Sequence, residues 1–221
     1  MKSQLIDVSE LSYQLLLDDI CSHLRDGKVV AMATDTVFGL VASAKDCAAL
    51  EAVAAIKQRD SSISMPVLIG ELSQFQLLCR HKLEQLQIDD DALWKFWPGP
   101  LTVVVDLRQG ALCDRYFQSG TVGIRLPNDQ RLRDMANKVG PIVATSANLH
   151  GLPTPTSGKE VLRQLGPSSL SLGLSMVLDE ESRSEVASTV IDISGSEHRI
   201  VRIGRISANA LSSAFRIDVG K

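Results

Sequence analysis

Small polar residues lie at the ends of three predicted strands of this sequence, and cationic residues lie at the ends of other elements or within them. The small residues are Thr36 in T-D-T, Ser146 and Asn148 in S-A-N, and Ser188 in S-T-V-I-D-I. The cations are Lys57 and Arg59 at a predicted helix end, Arg125 in T-V-G-I-R-L, and Arg202 in R-I-V-R-I-G-R. Ligands of α/β proteins gather where strands end. Hydroxyl, amide and guanidinium groups there suit a ligand with phosphate or carboxylate oxygens.

Each of these signals has an ordinary structural explanation when it is taken alone. Lys57 and Arg59 are two residues apart, so they could be a solvated helix end, and they converge on one anion only if the helix ends there. Arg125 could lie on a solvated sheet face, although Gly123 on the same face leaves space beside its guanidinium. The segment 146–157 could be a plain turn. The residues alone therefore indicate an anion-binding protein and no more.

Several familiar catalytic patterns are missing from the sequence. Neither G-x-x-x-x-G-K-[ST] nor G-x-G-x-x-G occurs, no serine lies in G-x-S-x-G, and the histidines have no acid or nucleophile at a suggestive spacing. An enzyme with these residues would work by positioning charged substrates and stabilising developing charge, as in phosphoryl or nucleotidyl transfer.

The composition fits one soluble domain with an aliphatic core. The chain has 221 residues, of which 44% are hydrophobic and 4% aromatic, and its formal net charge is −3. This charge argues against a generally basic nucleic-acid binder but permits a local basic cleft. The N-terminus has no apolar signal core, and no run reaches the ~18 apolar residues of a membrane helix, so we expect a cytoplasmic protein.

The cysteines and histidines do not predict a metal site. They are scattered without a close pair: Cys21, Cys47, Cys79, Cys113, His23, His81, His150 and His198. Structural zinc sites need close ligand pairs, so we expect no protein-held metal cluster. Reduced thiols are the expectation for a cytoplasmic protein.

Strands and helices alternate along the first two thirds of the chain, and strands cluster near its end. Strands are predicted at 28–33, 65–70, 101–107, 121–126 and 141–145, and in S-M-V-L-D, S-T-V-I-D-I and H-R-I-V-R-I, and a further apolar run occupies 37–42. Helices are predicted at 10–26, 46–56, about 72–96, 129–138, and after Ser157 and Ser207. This order predicts a single α/β domain, residues 1–221, with a twisted mixed sheet and flanking helices.

Seven segments, in order, resemble the motifs of the YrdC family, the threonylcarbamoyl-AMP synthases. They are T-D-T-V-F-G-L (34–40), I-K-Q-R-D (56–60), F-W-P-G-P-L-T-V-V-V (96–105), T-V-G-I-R-L-P (121–127), A-T-S-A-N-L-H-G-L-P-T-P-T (144–156), S-T-V-I-D (188–192) and R-I-G-R-I-S (202–207). The resemblance implies a YrdC-like domain, with its motifs within about residues 10–210, whose sheet surrounds a concave cationic cavity. It implies no additional C-terminal domain.

The resemblance also implies an enzyme, a nucleotidyltransferase that condenses L-threonine, bicarbonate and ATP to L-threonylcarbamoyladenylate and pyrophosphate. The threonine amine would combine with bicarbonate, and the new carboxylate would attack the α-phosphate of ATP. A partner complex would then transfer the threonylcarbamoyl group to an adenosine of tRNA, and the protein could contact tRNA itself. Mg2+ would arrive with the nucleotide.

Carried over by motif, the resemblance assigns a role to each candidate residue. The catalytic residues would be Lys57 and Arg59, which hold the bicarbonate-derived carboxylate and the phosphates. The nucleotide would be bound by Arg59, Thr121, Asn148, Thr156 and Arg202. Threonine would be bound by Thr36, Arg125, Ser146 and Ser188, with Arg125 as the partner of its carboxylate.

The sequence departs from the family pattern after Arg59, where R-D-S-S-I-S-M-P-V-L-I-G is two residues longer than usual. Met65 stands where a Lys or Asn often assists ATP, and Gly70 where a His often meets threonine. In the first motif, Asp35 replaces the usual Glu and Phe38 the usual Tyr. We therefore expect altered pocket chemistry at these positions.

Two other functions fit the same residues. One is a non-catalytic RNA-binding or ribosome-maturation protein that grips a phosphate backbone in the cationic cleft, with a steep salt dependence and no need for threonine. The other is an adenylate former for a different amino acid, which the changes at Gly70 and Phe38 leave open.

Overall fold

A mixed sheet of ten strands forms the centre of the protein. The structure, a computed structural model, describes residues 4–9, 11–59, 65–81, 86, 91–117, 119–184 and 186–215. The strands are β1 (Gln4–Asp7), β2 (Val29–Ala33), β3 (Phe38–Ser43), β4 (Val67–Leu68), β5 (Leu101–Asp106), β6 (Thr121–Arg125), β7 (Ile142–Ser146), β8 (Leu174–Asp179), β9 (Thr189–Asp192) and β10 (Arg199–Arg202).

The strand order is β1-β8-β2-β3-β7-β4-β6-β5-β9-β10, so sequence neighbours are often separated in the sheet. The pairs β1–β8, β2–β8, β4–β6 and β5–β9 are parallel, and the other pairs are antiparallel. This arrangement confirms the predicted mixed α/β sheet. It brings the end of β7 opposite the start of β3, where Ser146 pairs with Gly39.

Polar caps define where the longer helices begin. The helices are α1 (Tyr13–Arg25), α2 (Cys47–Ile56), α3 (Leu72–Leu78), α4 (Gln130–Val139), α5 (Gly158–Leu165), α6 (Ser168–Ser171) and α7 (Ala208–Phe215). Asp46 Oδ1 accepts from Ala48 N at 2.8 Å, and Asp129 Oδ1 accepts from Leu132 N at 3.2 Å. Such caps satisfy backbone donors that the first helical turn leaves unpaired.

Two apolar clusters lie on opposite faces of the sheet because alternate strand residues point to opposite sides. On β2, Val30 and Met32 pack with α1 and α4, whereas Val29 and Ala31 belong to the larger cluster on the other face. The interior is mostly aliphatic, as the composition predicts. None of the described helices is both long and apolar enough to cross a membrane.

The structure differs from the predicted elements at β1, in the segment 72–96, and at α6, a short helix that the sequence analysis does not predict. Strand β1 has no counterpart in the sequence prediction because its four residues lack a clear apolar alternation. The helix predicted over about 72–96 is described only as α3, residues 72–78, and as turns over 91–100. Residues 82–85 and 87–90 of that prediction lie outside the described residues, as do residues 60–64 of the lengthened segment.

The expectation of reduced thiols is wrong for two of the four cysteines. A disulfide joins Cys47, the first residue of α2, to Cys113, and their Cα atoms are 5.4 Å apart. Cys21 and Cys79 are free and buried. Spacing along the sequence could not reveal this pair, because the backbone brings together residues that are 66 positions apart.

Candidate active site

A cavity of about 270 Å³ brings together six residues that the sequence analysis selected. They are Thr36, Arg59, Arg125, Ser146, Ser188 and Arg202. The rest of its lining is small or apolar, from Val37, Pro66, Leu68, Ala144, Thr145 and Ala187. Three arginines and four serine or threonine residues therefore surround one space. This confirms the predicted concave cationic cavity.

A hydroxyl-capped turn between β2 and β3 presents Thr36 to the cavity. Thr34 Oγ1 accepts from the backbone N–H of Thr36 at 3.1 Å and of Val37 at 3.2 Å. Thr34 Oγ1 also donates to the Val37 carbonyl at 2.7 Å. Threonine hydroxyls commonly close such local turns. The T-D-T motif therefore folds into a fixed corner with the Thr36 side chain buried at the cavity wall.

Arg125 reaches the cavity while it is paired with an acidic neighbour. Its Nη1 donates to Asp35 Oδ1 at 2.7 Å and to Oδ2 at 2.8 Å, and both side chains are less than a tenth exposed. Asp35 Oδ2 also accepts from the Asn128 backbone N–H at 2.9 Å. The guanidinium that we expected to meet a substrate carboxylate is therefore already balanced by a carboxylate of the protein. Within the described part of the chain, no residue accepts a hydrogen bond from Arg125 Nε or Nη2.

Arg59 lines the cavity, and part of its guanidinium is buried. Its Nε and Nη2 are buried, and neither has a hydrogen-bond acceptor among the described residues. Burial lowers the pKa of this guanidinium. A buried cationic donor without an acceptor costs free energy, and an anion in the cavity would supply such an acceptor.

Lys57, expected beside Arg59 as a second anion ligand, points elsewhere. Its Nζ donates to the Ser146 carbonyl, to the Asn148 carbonyl at 2.7 Å and to Asn148 Oδ1 at 3.3 Å. The side chain is buried, and Lys57 is not among the residues that line the cavity. Burial, followed by the charge of Arg59, lowers the pKa of Lys57 from its ordinary value to about 7.

Ser188 and Arg202 form the wall on the side of β9 and β10. Arg202 Nη2 donates to the Ser188 carbonyl at 2.9 Å and to Ser188 Oγ at 3.2 Å. Ser188 Oγ is also 2.9 Å from the hydroxyl of Thr102 on β5. Burial lowers the pKa of Arg202, although part of its side chain stays in solvent.

Thr189 fixes the chain segment that carries Arg202. Its Oγ1 accepts from the backbone N–H groups of Gly204 and Ile206, both at 2.9 Å. Gly204 packs directly against the Ala187 carbonyl, so that a Cβ at this position would overlap it. These contacts hold the segment S-T-V-I-D against the segment R-I-G-R-I-S.

Three other predicted site residues do not line the cavity. Asn148 Nδ2 donates to the Leu152 carbonyl at 2.7 Å, so its side chain closes the loop after β7. Thr156 donates through N and Oγ1 to Glu160 Oε2, at 2.8 and 3.1 Å. Thr121 lies on β6, and its hydroxyl is 3.2 Å from that of Ser119. Their assignment to the nucleotide stays a prediction.

Packing accounts for two of the departures from the family motif, those at Met65 and Gly70. Met65 is buried in the larger apolar cluster, so it replaces a polar group by core packing. Gly70 lies against α4, and a Cβ there would be 2.5 Å from the Arg133 carbonyl oxygen and would overlap Asn137. No side chain fits at position 70 without movement of α4.

The sequence analysis missed two residues that position the site. Asp35 lies inside the first motif, where it was treated only as a replacement for Glu. Arg205 Nη1 donates to the Asp35 carbonyl at 2.8 Å and thereby ties the last motif to the first. The sequence signal for this contact was a charged residue in each motif, Asp35 in the first and Arg205 in the last. Only the fold shows that these two residues are in contact. In the described ranges, no group of three or more His, Cys, Asp or Glu side chains could hold a metal ion.

Known proteins resemble this chain along most of its length. The family model Sua5/YciO/YrdC, described as telomere recombination, matches residues 22–204. A relative from Mycobacterium tuberculosis is 30% identical over 201 residues, which are 88% of this chain and 87% of that protein. The threonylcarbamoyl-AMP synthase of Pyrococcus abyssi is 31% identical over 195 residues, which are 86% of this chain and 54% of that protein.

A solved structure has the same fold. The crystal structure of Pyrococcus abyssi Sua5 complexed with L-threonine superposes with a TM-score of 0.83 at 27% sequence identity. The match covers 96% of this chain and 60% of that one. The chain thus corresponds to a part of the archaeal protein and to most of the mycobacterial one.

Proposed function

Because the chain belongs to the Sua5/YciO/YrdC family, we propose that it is a threonylcarbamoyl-AMP synthase. It condenses L-threonine, bicarbonate and ATP to L-threonylcarbamoyladenylate and releases pyrophosphate. The observation that carries this proposal is the buried Arg59 guanidinium, whose Nε and Nη2 lack an acceptor among the described residues. Phosphate oxygens of ATP or the carboxylate made from bicarbonate supply that acceptor.

The hydroxyl groups of the cavity bind threonine in this proposal. Thr36, Ser146 and Ser188 offer hydroxyl groups within one small space. Arg125 offers the N–H groups that Asp35 leaves unused, and these meet the amino-acid carboxylate. The small volume of the cavity holds the amine close to the carbon that it attacks, which lowers the entropic part of the barrier.

Two guanidinium groups of the cavity bind the charged groups that react. Arg59 and Arg202 stabilise the negative charge that develops on the α-phosphate when the N-carboxy-threonine carboxylate attacks it. Asn148, Thr156 and Thr121 complete the nucleotide site from the loop after β7 and from β6. Lys57 contributes to catalysis without lining the cavity, through its hydrogen bonds to Ser146 and Asn148.

Mg2+ enters with the nucleotide in this proposal. The cavity lining contains no carboxylate among the described residues, and the neighbouring Asp35 carboxylate is committed to Arg125. Phosphate oxygens and water would therefore supply the metal ligands, as is common for magnesium nucleotides.

The reactivity of the product favours a partner that receives it directly. A mixed anhydride of a carbamate and AMP is reactive toward amines and water, so an acceptor must follow closely. We propose that a tRNA threonylcarbamoyl-transfer complex in the cytoplasm receives it, and that the protein works there without a membrane.

The test is pyrophosphate release from ATP and bicarbonate by the purified protein, with and without L-threonine. We expect threonine-dependent release, and a loss of at least about 100-fold in Arg59→Met, because charged hydrogen bonds contribute about 1.5–3 kcal/mol each. Arg163→Met is the matched control, since this arginine side chain is 80% exposed.

Three outcomes are distinguishable. Release that requires another amino acid would identify an adenylate former of different specificity. RNA binding with a steep salt dependence and no release would identify the binding protein considered above. Equal turnover in Arg59→Met and Arg163→Met would contradict the anion site itself.

A further inference from the structure

The end of α2 sends its two cations in different directions. Lys57 is the C-cap residue, and Gln58 follows it with a φ of 50°, in the left-handed region. A left-handed residue after a helix reverses the chain. Lys57 therefore points to the loop after β7, whereas Arg59 points into the cavity.

The Lys57 ammonium is fully used inside the protein. An ammonium has three N–H donors, and its three acceptors all belong to Ser146 and Asn148. The backbone repeats the connection, because His150 N donates to the Lys57 carbonyl at 3.2 Å. None of the three donors remains for a substrate anion in this arrangement.

The same contacts determine where Ser146 lies. Its carbonyl is held by Lys57, and the next residue, Ala147, donates through its backbone N–H to the Phe38 carbonyl at 2.9 Å. The end of β7 is thus held by contacts to Lys57 and to β3, and Ser146 lines the cavity. Without the ammonium, the carbonyl oxygens of Ser146 and Asn148 lose this donor, and only the backbone hydrogen bond from His150 still joins the loop to Lys57 among the contacts named above.

We propose that Lys57 is a positioning residue, which fixes segment 146–148 so that Ser146 faces the cavity, and that Arg59 alone of this pair touches the anion. The proposal rests on the synthase function and refines the role that the family motif gives to Lys57. Lysine suits the position because a compact ammonium can donate in three directions to oxygens of one short segment.

The experiment compares pyrophosphate binding with turnover. Binding of inorganic pyrophosphate is measured by calorimetry for the wild type, Lys57→Met, Arg59→Met and the control Lys45→Met, whose lysine is exposed. We expect Lys57→Met to bind within about 3-fold of the wild type and Arg59→Met to bind at least about 10-fold more weakly, the equivalent of one lost charged hydrogen bond. Threonine-dependent turnover should fall at least about 100-fold in both variants.

A second substitution separates charge from geometry. Lys57→Arg keeps the positive charge but cannot place a compact ammonium among three oxygens. We expect it to bind pyrophosphate like the wild type and to stay impaired in turnover. Restored turnover in Lys57→Arg, or a loss of pyrophosphate affinity in Lys57→Met equal to that in Arg59→Met, would overturn the proposal.

Thermal unfolding of every variant shows whether it is folded, and Lys57→Arg answers the question if Lys57→Met does not fold. A wild-type protein without threonine-dependent release would contradict the proposed function. The pyrophosphate comparison between Lys57 and Arg59 would still stand in that case, so the two failures are distinguishable.

Discussion

At the scale of single residues, the cavity contains one arginine that has an acidic partner and one whose buried donors have none among the described residues. Arg59 has buried donors without an acceptor in the described structure, whereas Arg125 is held by Asp35. The first arrangement attracts an anion strongly. In the second arrangement, Asp35 fixes the orientation of the Arg125 guanidinium and makes the net charge of the pair about zero. Arg125 can then recognise a carboxylate through the geometry of its hydrogen bonds more than through long-range attraction.

Replacement of Asp35 by Asn should make the stability of the protein depend on L-threonine. The change leaves the buried Arg125 charge without its partner, which costs about 3–5 kcal/mol. The carboxylate of L-threonine would restore the balance, so the ligand should raise the melting temperature of the variant more than that of the wild type.

The measurement is thermal unfolding with L-threonine and with threoninol, which lacks the carboxylate. An equal response of the variant to both compounds would show that Arg125 does not bind the carboxylate.

Lys57 should make stability rise with pH in the alkaline range. Its pKa in the folded protein is lowered to about 7 by burial and by Arg59, below that of the unfolded chain at about 10.4. Between these values the unfolded chain binds more protons than the folded protein, so the free energy of unfolding rises with pH.

Urea unfolding at several pH values between 7 and 10, compared with Lys57→Met, isolates this contribution, because the other groups are common to both proteins. We expect the wild type to gain more than about 1 kcal/mol relative to the variant across this range, the equivalent of one pKa unit. Parallel pH profiles would show that the amine keeps its proton.

At the scale of elements, helix caps and strand runs were predictable, and the close approaches between elements were not. Asp46, Asp129 and Ser157 begin helices where the sequence places them. Their signals are local, because a cap bonds to residues within its own first turn. The contact of Gly70 with α4 joins residues that are far apart in sequence, so the sequence showed only that a side chain was missing.

Gly70→Ala should destabilise the protein although the change is small. Its Cβ would be 2.5 Å from the Arg133 carbonyl oxygen, which belongs to the backbone of α4 and cannot turn away. We expect a loss of about 1–3 kcal/mol, the usual cost of overpacking. Gly195→Ala is the control, because its Cβ would have only ordinary contacts at 3.9 Å or more.

Chemical denaturation of both variants measures the difference in the free energy of unfolding. Equal stabilities would show that α4 moves freely away from β4, and a longer side chain at position 70 would then be tolerated.

The disulfide between Cys47 and Cys113 should stabilise the protein against heat. It closes a loop of 66 positions, which removes on the order of 4 kcal/mol of chain entropy from the unfolded state. Reductant should therefore lower the melting temperature of the wild type by several degrees and leave the double variant Cys47→Ser, Cys113→Ser unchanged.

A thiol count of the denatured protein without reductant is the accompanying measurement, and we expect two free thiols. Four free thiols and no effect of reductant on melting would contradict the bond.

At the scale of the whole molecule, the fold class and part of the cavity lining could be predicted from the sequence, and the separate roles of the residues could not. Alternating strands and helices predict the mixed sheet. The ordered motifs select ten candidate residues, of which Thr36, Arg59, Arg125, Ser146, Ser188 and Arg202 line the cavity. The direction of Lys57, in contrast, depends on the left-handed backbone at Gln58 and on the position of the loop after β7. Charge and spacing are the same whether such a lysine faces a ligand or a carbonyl group.

The cavity draws its walls from nearly the full length of the chain, from Thr36 to Arg202. During synthesis on the ribosome, an emerging chain lacks the site until Arg202 has been added and β10 has paired with β9 at the edge of the sheet. A substrate therefore cannot assist the early steps of folding. It can stabilise only the folded protein, because it joins β10 to strands in the middle of the sheet through the residues that line the cavity. Amide hydrogen exchange at β10 should be the first to slow when the cavity fills.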